Sequence, residues 1–166
     1  MLCSSHIVEC LRKKNIYPVA LETTSVANCK AEYALQYDDS LYYHSEAAPY
    51  NTLTVDFGAN VTIYSYEISS YTEGNGLVNW KMEVSENYYD WETVDTHDND
   101  VPPDKCGVIT LPTPHKSRFV RFTGTKTYFN LQFFVVYYVK FYGTISLFCQ
   151  TNRPYRIPHQ HYMLIP

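Results

Sequence analysis

The sequence has no excess of basic residues, which argues against a nucleic-acid ligand. Its 166 residues include 13 Lys and Arg against 17 Asp and Glu, a formal net charge of −4. A nucleic-acid binder usually carries a basic stripe, because neutralising phosphates supplies much of its affinity. Arg118 and Arg121 stand three positions apart, so on a strand they point to opposite faces. We therefore expect no nucleic-acid partner.

Long apolar runs are also missing. No run approaches the roughly 20 residues that a membrane-spanning helix needs. The first ten residues, MLCSSHIVEC, lack the charged start and the long apolar segment of a signal peptide. These absences predict a cytoplasmic protein without a membrane span.

The cysteines form no closely spaced pair. Without a Cys-x-x-Cys motif a zinc site is not expected, and an odd count gives no complete disulfide framework. Because no export signal is seen, we expect free, buried thiols in a reducing compartment. A bond between an N-terminal cysteine and Cys149 would require an oxidising one. The five are Cys3, Cys10, Cys29, Cys106 and Cys149.

Motifs of catalysis are absent as well. The sequence has no Gly-x-Ser-x-Gly elbow and no Gly-rich phosphate loop, and its six histidines are scattered. Most carboxylates fall on predicted outer strand faces and not as the facing pair that glycoside hydrolysis requires. The segment 95–100, DTHDND, lacks the spacing of a calcium loop and is interpreted as an ordinary acidic loop. We expect no enzyme activity and no cofactor.

A β-hairpin with two tryptophans is the most informative segment that is present. Trp80, Met82 and Val84 alternate with polar residues, which is the period of a strand with one apolar face. Residues 86–90 suit a tight turn, and Trp91 opens a second run, WETVD. We assign both indoles to the core. The 17 tyrosines suit half-buried sheet surfaces and also binding surfaces.

The remaining segments predict a short helix and further strands. Residues 5–14 suit a helix with Ile7, Val8 and Leu11 on one face, and a β-prone piece and an irregular segment at 31–50 follow. Alternation predicts strands over 53–57, 61–71, 108–111, 118–123 and 135–141. Gly58 is expected to end the first of these, Pro112 and Pro114 the third, and Gly143 the last. We expect one face of the strand at 61–71 to carry Tyr64, Tyr66 and Ile68. We expect one face of the strand at 135–141 to carry Val135, Tyr137, Val139 and Phe141.

About eight strands without a βαβ rhythm predict an all-β fold, an antiparallel sandwich or barrel. The chain divides into an N-terminal helix and linker at 1–16, a strand-rich body at 17–147 and a tail at 148–166. The tail contains three prolines and two histidines without any period, which is typical of an exposed terminus.

Several of these segments together resemble one family. The run WKMEVS from Trp80, a short turn and WETVD from Trp91 are similar to the central hairpin of discoidin domains, also called coagulation factor 5/8 type C domains. The run RFVRFT from Arg118 and the run VKFYG from Val139 resemble two later strands of that family, and LTVDFG from Leu53 resembles an early one. The likeness covers about residues 20–145 in the family's order.

The resemblance implies a galactose-binding-like jelly-roll sandwich of the divergent, disulfide-free kind found in intracellular proteins, sometimes after a BTB-type helical region. It implies that ligands meet the loops at one end, here 36–45, 73–77 and 124–131. The candidate contact residues are Tyr42, Tyr43, His44, Asn75, Lys126, Tyr128 and Phe129. In calcium-binding members the first loop helps to hold the ion. Here Gln36 replaces an Asp, so Asp38 and Asp39 are weak candidate ligands and no metal is expected.

These observations predict a non-catalytic binding module with three candidate ligands. The first hypothesis is protein–protein recognition as an adaptor, motivated by the absent signal peptide and the leading helix. The alternative is carbohydrate binding of the galactose type, motivated by the loop aromatics, because aromatic-lined clefts with a few polar groups suit sugars. A weaker alternative is a lipid surface, for which Phe129 with Lys126 is the one suitable pair.

Overall fold

The computed structural model describes residues 6–22, 25–38, 40–46, 51–70, 76–98, 107–127, 133 and 135–145. These residues contain the α-helix α1 (Ile7–Arg12), a 3₁₀ helix (Ala31–Leu35) and seven β-strands. The strands are β1 (Val19–Glu22), β2 (Tyr43–His44), β3 (Thr52–Ser70), β4 (Leu77–Ser85), β5 (Glu92–His97), β6 (Ile109–Thr127) and β7 (Val135–Ile145). No helix in these ranges is long and apolar enough to cross a membrane.

Two long strands, β3 and β6, build both layers of an antiparallel sandwich. Residues 52–56 of β3 pair with β1 and with residues 119–123 of β6, and β6 continues the first layer through β4 to β5. Residues 61–70 of β3 pair with β7, which carries β2 on its other side, and this forms the second layer. β3 changes layer near Gly58, where φ is +69° and the ladder register shifts.

The core lies between the two layers and is filled by alternate residues of the strands. Trp80, Met82 and Val84 are buried, as predicted, with Trp80 only 1% exposed. Aromatic side chains join the layers, since the ring of Tyr66 from the second layer lies 5.5 Å from that of Phe122 in the first. The structure therefore confirms the all-β sandwich and the predicted inner face of β4.

Strand ends were the least accurate part of the prediction. The strands expected at 53–57 and 61–71 form one strand, and Gly58 bends it without ending it. Likewise β6 runs through Pro112 and Pro114. Both prolines lie where four residues of β6 stand opposite one of β3, between the pairs Thr110–Ser65 and His115–Ile63. A proline in such a bulge removes no ladder hydrogen bond, so the strand continues.

Bulges also changed two of the predicted faces. A register shift between Ile63 and Ser65 leaves Tyr64 exposed, while Ile63 and Tyr66 enter the core. A second shift, opposite Ser69 and Ser70, leaves Tyr137 half-buried, outside the core that Val136 and Val139 join. A one-residue slip exchanges the two faces of a strand, so the strict alternation assumed for both segments was wrong there.

Trp91 is not a core residue, contrary to the prediction. It lies just before β5 and two positions before Thr93, so its side chain is on the same face as that of Thr93. Thr93 pairs with Glu83 on the outer face of the first layer. Its half-buried ring lies under the guanidinium group of Arg121, 4.1 Å from the ring centroid. Its indole N–H donates a 2.9 Å hydrogen bond to the carbonyl oxygen of Tyr88.

The N-terminal helix packs on the sandwich. Its predicted apolar face is confirmed, because Ile7, Val8 and Leu11 are buried. Cys10, on the same helix, is disulfide-bonded, which contradicts the default expectation of free thiols and fits the alternative left open for an N-terminal cysteine. Cys29 is a half-buried free thiol. The predicted tail at 148–166 lies outside the described residues.

Candidate functional site

Five strand ends meet at one end of the sandwich, which we call the loop end. His44 of β2 pairs with Val135 of β7, and Leu77 of β4 pairs with Thr127 of β6. Ser70, the last residue of β3, joins the two layers there. Its hydroxyl donates to the carbonyl oxygen of Val135 at 2.5 Å and accepts the Leu77 N–H at 2.8 Å. The bases of the three loops that the resemblance singled out therefore lie side by side.

His44 is the best-fixed polar side chain of the loop end. Its main chain accepts a hydrogen bond from the Val26 N–H at 2.9 Å and donates one to the Cys29 carbonyl oxygen at 3.1 Å. Its half-buried ring stacks on Phe133, with 5.0 Å between centroids and 27° between planes. These contacts hold the imidazole in one orientation.

The hydrogen bonding of His44 also fixes which ring nitrogen carries the proton. Nδ1 lies 2.7 Å from the carbonyl oxygen of Ser45. A carbonyl oxygen can only accept, so Nδ1 must carry the hydrogen. In the neutral ring Nε2 is then the atom with a lone pair, and it can accept a hydrogen bond from a ligand hydroxyl.

Tyr42 and Tyr43 point in different directions, as neighbouring residues of an extended chain do. Tyr42 is 37% exposed and meets Tyr137 edge to face, with 5.8 Å between ring centroids. The side chain of Cys29 raises the pKa of the Tyr42 hydroxyl, first because a thiolate there would repel the tyrosinate and then through a hydrogen bond. Tyr43 is 0% exposed and its hydroxyl donates to the Thr52 carbonyl oxygen at 3.5 Å. We therefore remove Tyr43 from the candidate contact residues.

The other predicted site residues are less informative. Lys126 is half-buried and pairs in the β-ladder with Asn79. Asn75, Tyr128, Phe129 and Asp39 lie outside the described residues. Asp38 is exposed, and hydrogen bonds from the Ser40 hydroxyl and then its N–H lower the pKa of this carboxyl. In the described part of the chain, no group of three or more His, Cys, Asp or Glu could hold a metal ion.

Sequence reasoning missed two aromatic residues of this end, Phe133 and Tyr137. Phe133 stands in the run FNLQFF, where no alternation indicates which ring meets His44. Tyr137 was assigned to the core because of its parity, and the bulge in β7 places it beside Tyr42 instead. The excess of aromatic residues around position 130 was the sequence feature that could have indicated these contacts.

A polar network also ties β5 to the second layer. The Trp80 indole N–H donates to the Tyr66 hydroxyl at 3.3 Å, and that hydroxyl donates to Asp95 Oδ2 at 2.8 Å. His97 Nε2 lies 3.0 Å from the same oxygen, and its ring stacks on Trp80 at 4.2 Å. Burial raises the pKa of Tyr66 far above its ordinary value, so its hydroxyl stays a donor. Asp95 and His97, predicted as part of an acidic loop, hold the structure together.

An open cleft of about 330 Å³ lies at the opposite end, beside the β4–β5 turn. Its polar groups already pair with one another. Lys116 Nζ is 2.7 Å from Glu86 Oε2, and the Asn87 amide donates to Asp90 Oδ2 at 2.7 Å. Because these groups satisfy each other, the loop end, with the fixed imidazole of His44 and the exposed Tyr42, is the better candidate site.

Three solved structures share this fold at low sequence identity. A family 32 carbohydrate-binding module of Clostridium perfringens NanJ, solved with galactose, is 17% identical, with 83% of this chain and 98% of that chain covered and a TM-score of 0.63. A module from a family 31 glycoside hydrolase of the same organism is 17% identical, covering 76% and 91%, with a TM-score of 0.66. A chitosan-binding module of a Paenibacillus chitosanase/glucanase is 17% identical, covering 85% and 100%, with a TM-score of 0.68.

The architecture defines the fold as a galactose-binding-like β-sandwich. The chain belongs to the F5/8 type C domain family, whose model matches residues 20–134. The resemblance inferred from the hairpin and the later strands is thereby confirmed. No curated protein matches the sequence.

Proposed function

We propose that the protein is a carbohydrate-binding module that takes a galactose-type sugar at its loop end. The observation that carries this proposal is the fixed imidazole of His44, whose Nε2 can accept a hydroxyl proton, close in the chain to the exposed Tyr42. Sugar sites combine a few oriented polar groups with aromatic rings, because the sugar ring has an apolar face and a polar rim. Support also comes from structures of the same fold solved with galactose and with GalNAc-β-1,3-galactose.

Calorimetric titration with galactose and with the GalNAc-containing disaccharide tests this proposal. We expect saturable binding by the wild type and at least roughly tenfold weaker binding by His44→Ala, since about 1.4 kcal/mol corresponds to a factor of ten. Tyr42→Ala should weaken binding by a similar factor. Tyr89→Ala is the matched control, because Tyr89 is 85% exposed in the turn at the opposite end.

Two outcomes would refute the carbohydrate proposal. One is a wild-type protein that binds neither sugar nor any member of a glycan array. The other is a His44→Ala variant that binds as tightly as the wild type.

Protein recognition is the second candidate function, and a separate observation supports it. Tyr88 and Tyr89 are exposed on a turn that is braced by hydrogen bonds to Ser85 and Asn87. Exposed aromatics on a rigid turn suit a protein partner. A glycan array without signal, together with a specific partner captured by the wild type and lost by Tyr89→Ala, would favour this function.

The cytoplasmic location and the lipid alternative remain predictions. The disulfide at Cys10 is better suited to an oxidising compartment, which weakens the reason for expecting a cytoplasmic protein. Liposome co-sedimentation with anionic and neutral vesicles tests the lipid alternative, and binding to neither would exclude it.

A further inference from the structure

His6 lies at the junction between α1 and the sandwich. It is the N-cap residue of α1, and its carbonyl oxygen accepts the Cys10 N–H at 3.2 Å. Its main chain forms an isolated antiparallel bridge with Tyr142 of β7. The side chain is 8% exposed. The way in which this residue packs therefore bears directly on how α1 docks.

Among the residues that the structure describes, the buried imidazole has no hydrogen-bond partner on either ring nitrogen. Its ring meets Tyr37 edge to face, with 4.5 Å between centroids, and Tyr142 at 6.1 Å. The Tyr37 hydroxyl is likewise buried without a partner in the described part of the chain. Neutral imidazole tolerates such a site at a moderate cost, whereas a buried imidazolium without an acceptor is far less favourable.

The charged groups around His6 do not offset the cost of burying a protonated ring. Glu67 of β3 already accepts hydrogen bonds from Tyr142 and from Lys140, the latter at 3.3 Å. The cation of Lys140 stacks over Tyr138 at 4.5 Å and over Tyr37 at 5.7 Å. On α1, Arg12 adds a second cation, and Glu9 is exposed. Burial is the largest influence and lowers the pKa of His6 from its ordinary 6.5 to about 4, while the two carboxylates oppose and the two cations reinforce this shift.

We propose that His6 makes the docking of α1 on the sandwich sensitive to acid, so that protonating its imidazole opens the contact between α1 and β7 while the disulfide at Cys10 stays intact. When α1 is released, the ring of His6 is exposed to water, which solvates the imidazolium. Because the docked state has the lower affinity for the proton, docking is intact above the ordinary pKa of histidine and weakens as the pH falls towards the docked value. Release would uncover the apolar face of Ile7, Val8 and Leu11. This inference does not depend on sugar binding.

Hydrogen exchange of the full chain, followed by mass spectrometry at pH 7.4 and 5.0, tests the proposal. After correction for the pH dependence of intrinsic amide exchange, the protection factors of residues 7–12 should be at least roughly tenfold lower at pH 5.0 than at pH 7.4. This is the change expected if His6 binds a proton only in the state with α1 undocked. Protection of the β3 core should stay unchanged. His6→Phe should keep α1 protected at pH 5.0, and His115→Gln, a half-buried histidine on β6, should behave as the wild type.

The proposal fails if α1 protection in the wild type is independent of pH, or if His6→Phe loses the same protection. It also fails if β3 opens together with α1, since that is global unfolding. If His6→Phe does not fold, the imidazole signals of the wild type followed by NMR give the answer. The His6 ring should stay neutral at pH 5.5 in the docked protein, and titration near 6.5 would overturn the inference.

Discussion

At the scale of single residues, Glu83 organises the polar outer face of the first layer. Its buried carboxylate accepts hydrogen bonds from Arg121 Nε at 2.8 Å and Lys81 Nζ at 2.9 Å. Burial alone would raise the pKa of Glu83, but the hydrogen bonds from Arg121 and Lys81 outweigh it and lower the pKa below its ordinary value. The carboxylate therefore stabilises the fold when it is ionised.

Replacing Glu83 with Gln should lower the free energy of unfolding by about 2 kcal/mol at pH 7, because Arg121 keeps its charge and loses its partner. Urea unfolding measures this difference. A carboxyl with a lowered pKa contributes stability above its unfolded pKa and loses it as the pH falls through the folded one. The gap between wild type and variant should thus shrink below about pH 4. Glu32→Gln, in an exposed pair with Lys30, should change little at any pH.

Gly143 is a position where a side chain cannot fit. A Cβ atom there would lie 1.8 Å from the carbonyl oxygen of Thr62, so β3 and β7 would have to separate. Gly143→Ala should destabilise the protein by about 3 kcal/mol or more, as a backbone displacement does. The neighbouring Thr144→Ala should cost less than about 1 kcal/mol. Equal melting temperatures for the two variants would contradict this packing.

At the scale of elements, the β4–β5 hairpin separates two tryptophans that the sequence pattern treats alike. Trp80→Ala removes a fully buried indole and should cost about 3–5 kcal/mol. Trp91→Ala removes a half-buried ring stacked on Arg121 and should cost about 1 kcal/mol, the size of an exposed cation–π contact. Denaturation curves measure both, and a costlier change at Trp91 would contradict the assignment of faces.

The helix α1 allows a direct chemical test of the cysteine assignment. Alkylation of the unreduced protein in denaturant, where burial no longer protects Cys10, followed by peptide mapping, should label Cys29 and leave Cys10 unlabelled, because Cys10 is disulfide-bonded and Cys29 is free. Prior reduction should make Cys10 reactive. Labelling of Cys10 without a reductant would favour the free thiols expected from the sequence.

Regular alternation predicted the elements well where the ladder is regular, as in β4. It failed where bulges interrupt the ladder, since neither Tyr64 nor Tyr137 carries a local mark of the register shift that turns it out of the core. Pro112 and Pro114 led to a different error, because they were expected to end a strand. A proline that falls in a bulge leaves the strand continuous. Register depends on the partner strand, and a single sequence does not contain it.

At the scale of the whole molecule, the order of the hairpin and the flanking strands was enough to indicate the family, and the family model bears this out. The candidate site could be predicted only in part. His44 and Tyr42 followed from the loop assignment, but the burial of Tyr43 depends on β2 pairing with β7, and Phe133 reaches His44 across a large sequence separation. Such contacts are set by the closed sandwich and not by local pattern.

The central claim is that the loop end, and not the hairpin turn, binds a sugar. Backbone amide NMR spectra recorded during a galactose titration test it most directly. We expect saturable shifts concentrated at residues 40–46, 76–77 and 133–137, with residues 86–91 unchanged. Shifts centred on 86–91, or no saturable shift with any sugar that the protein is given, would contradict the account.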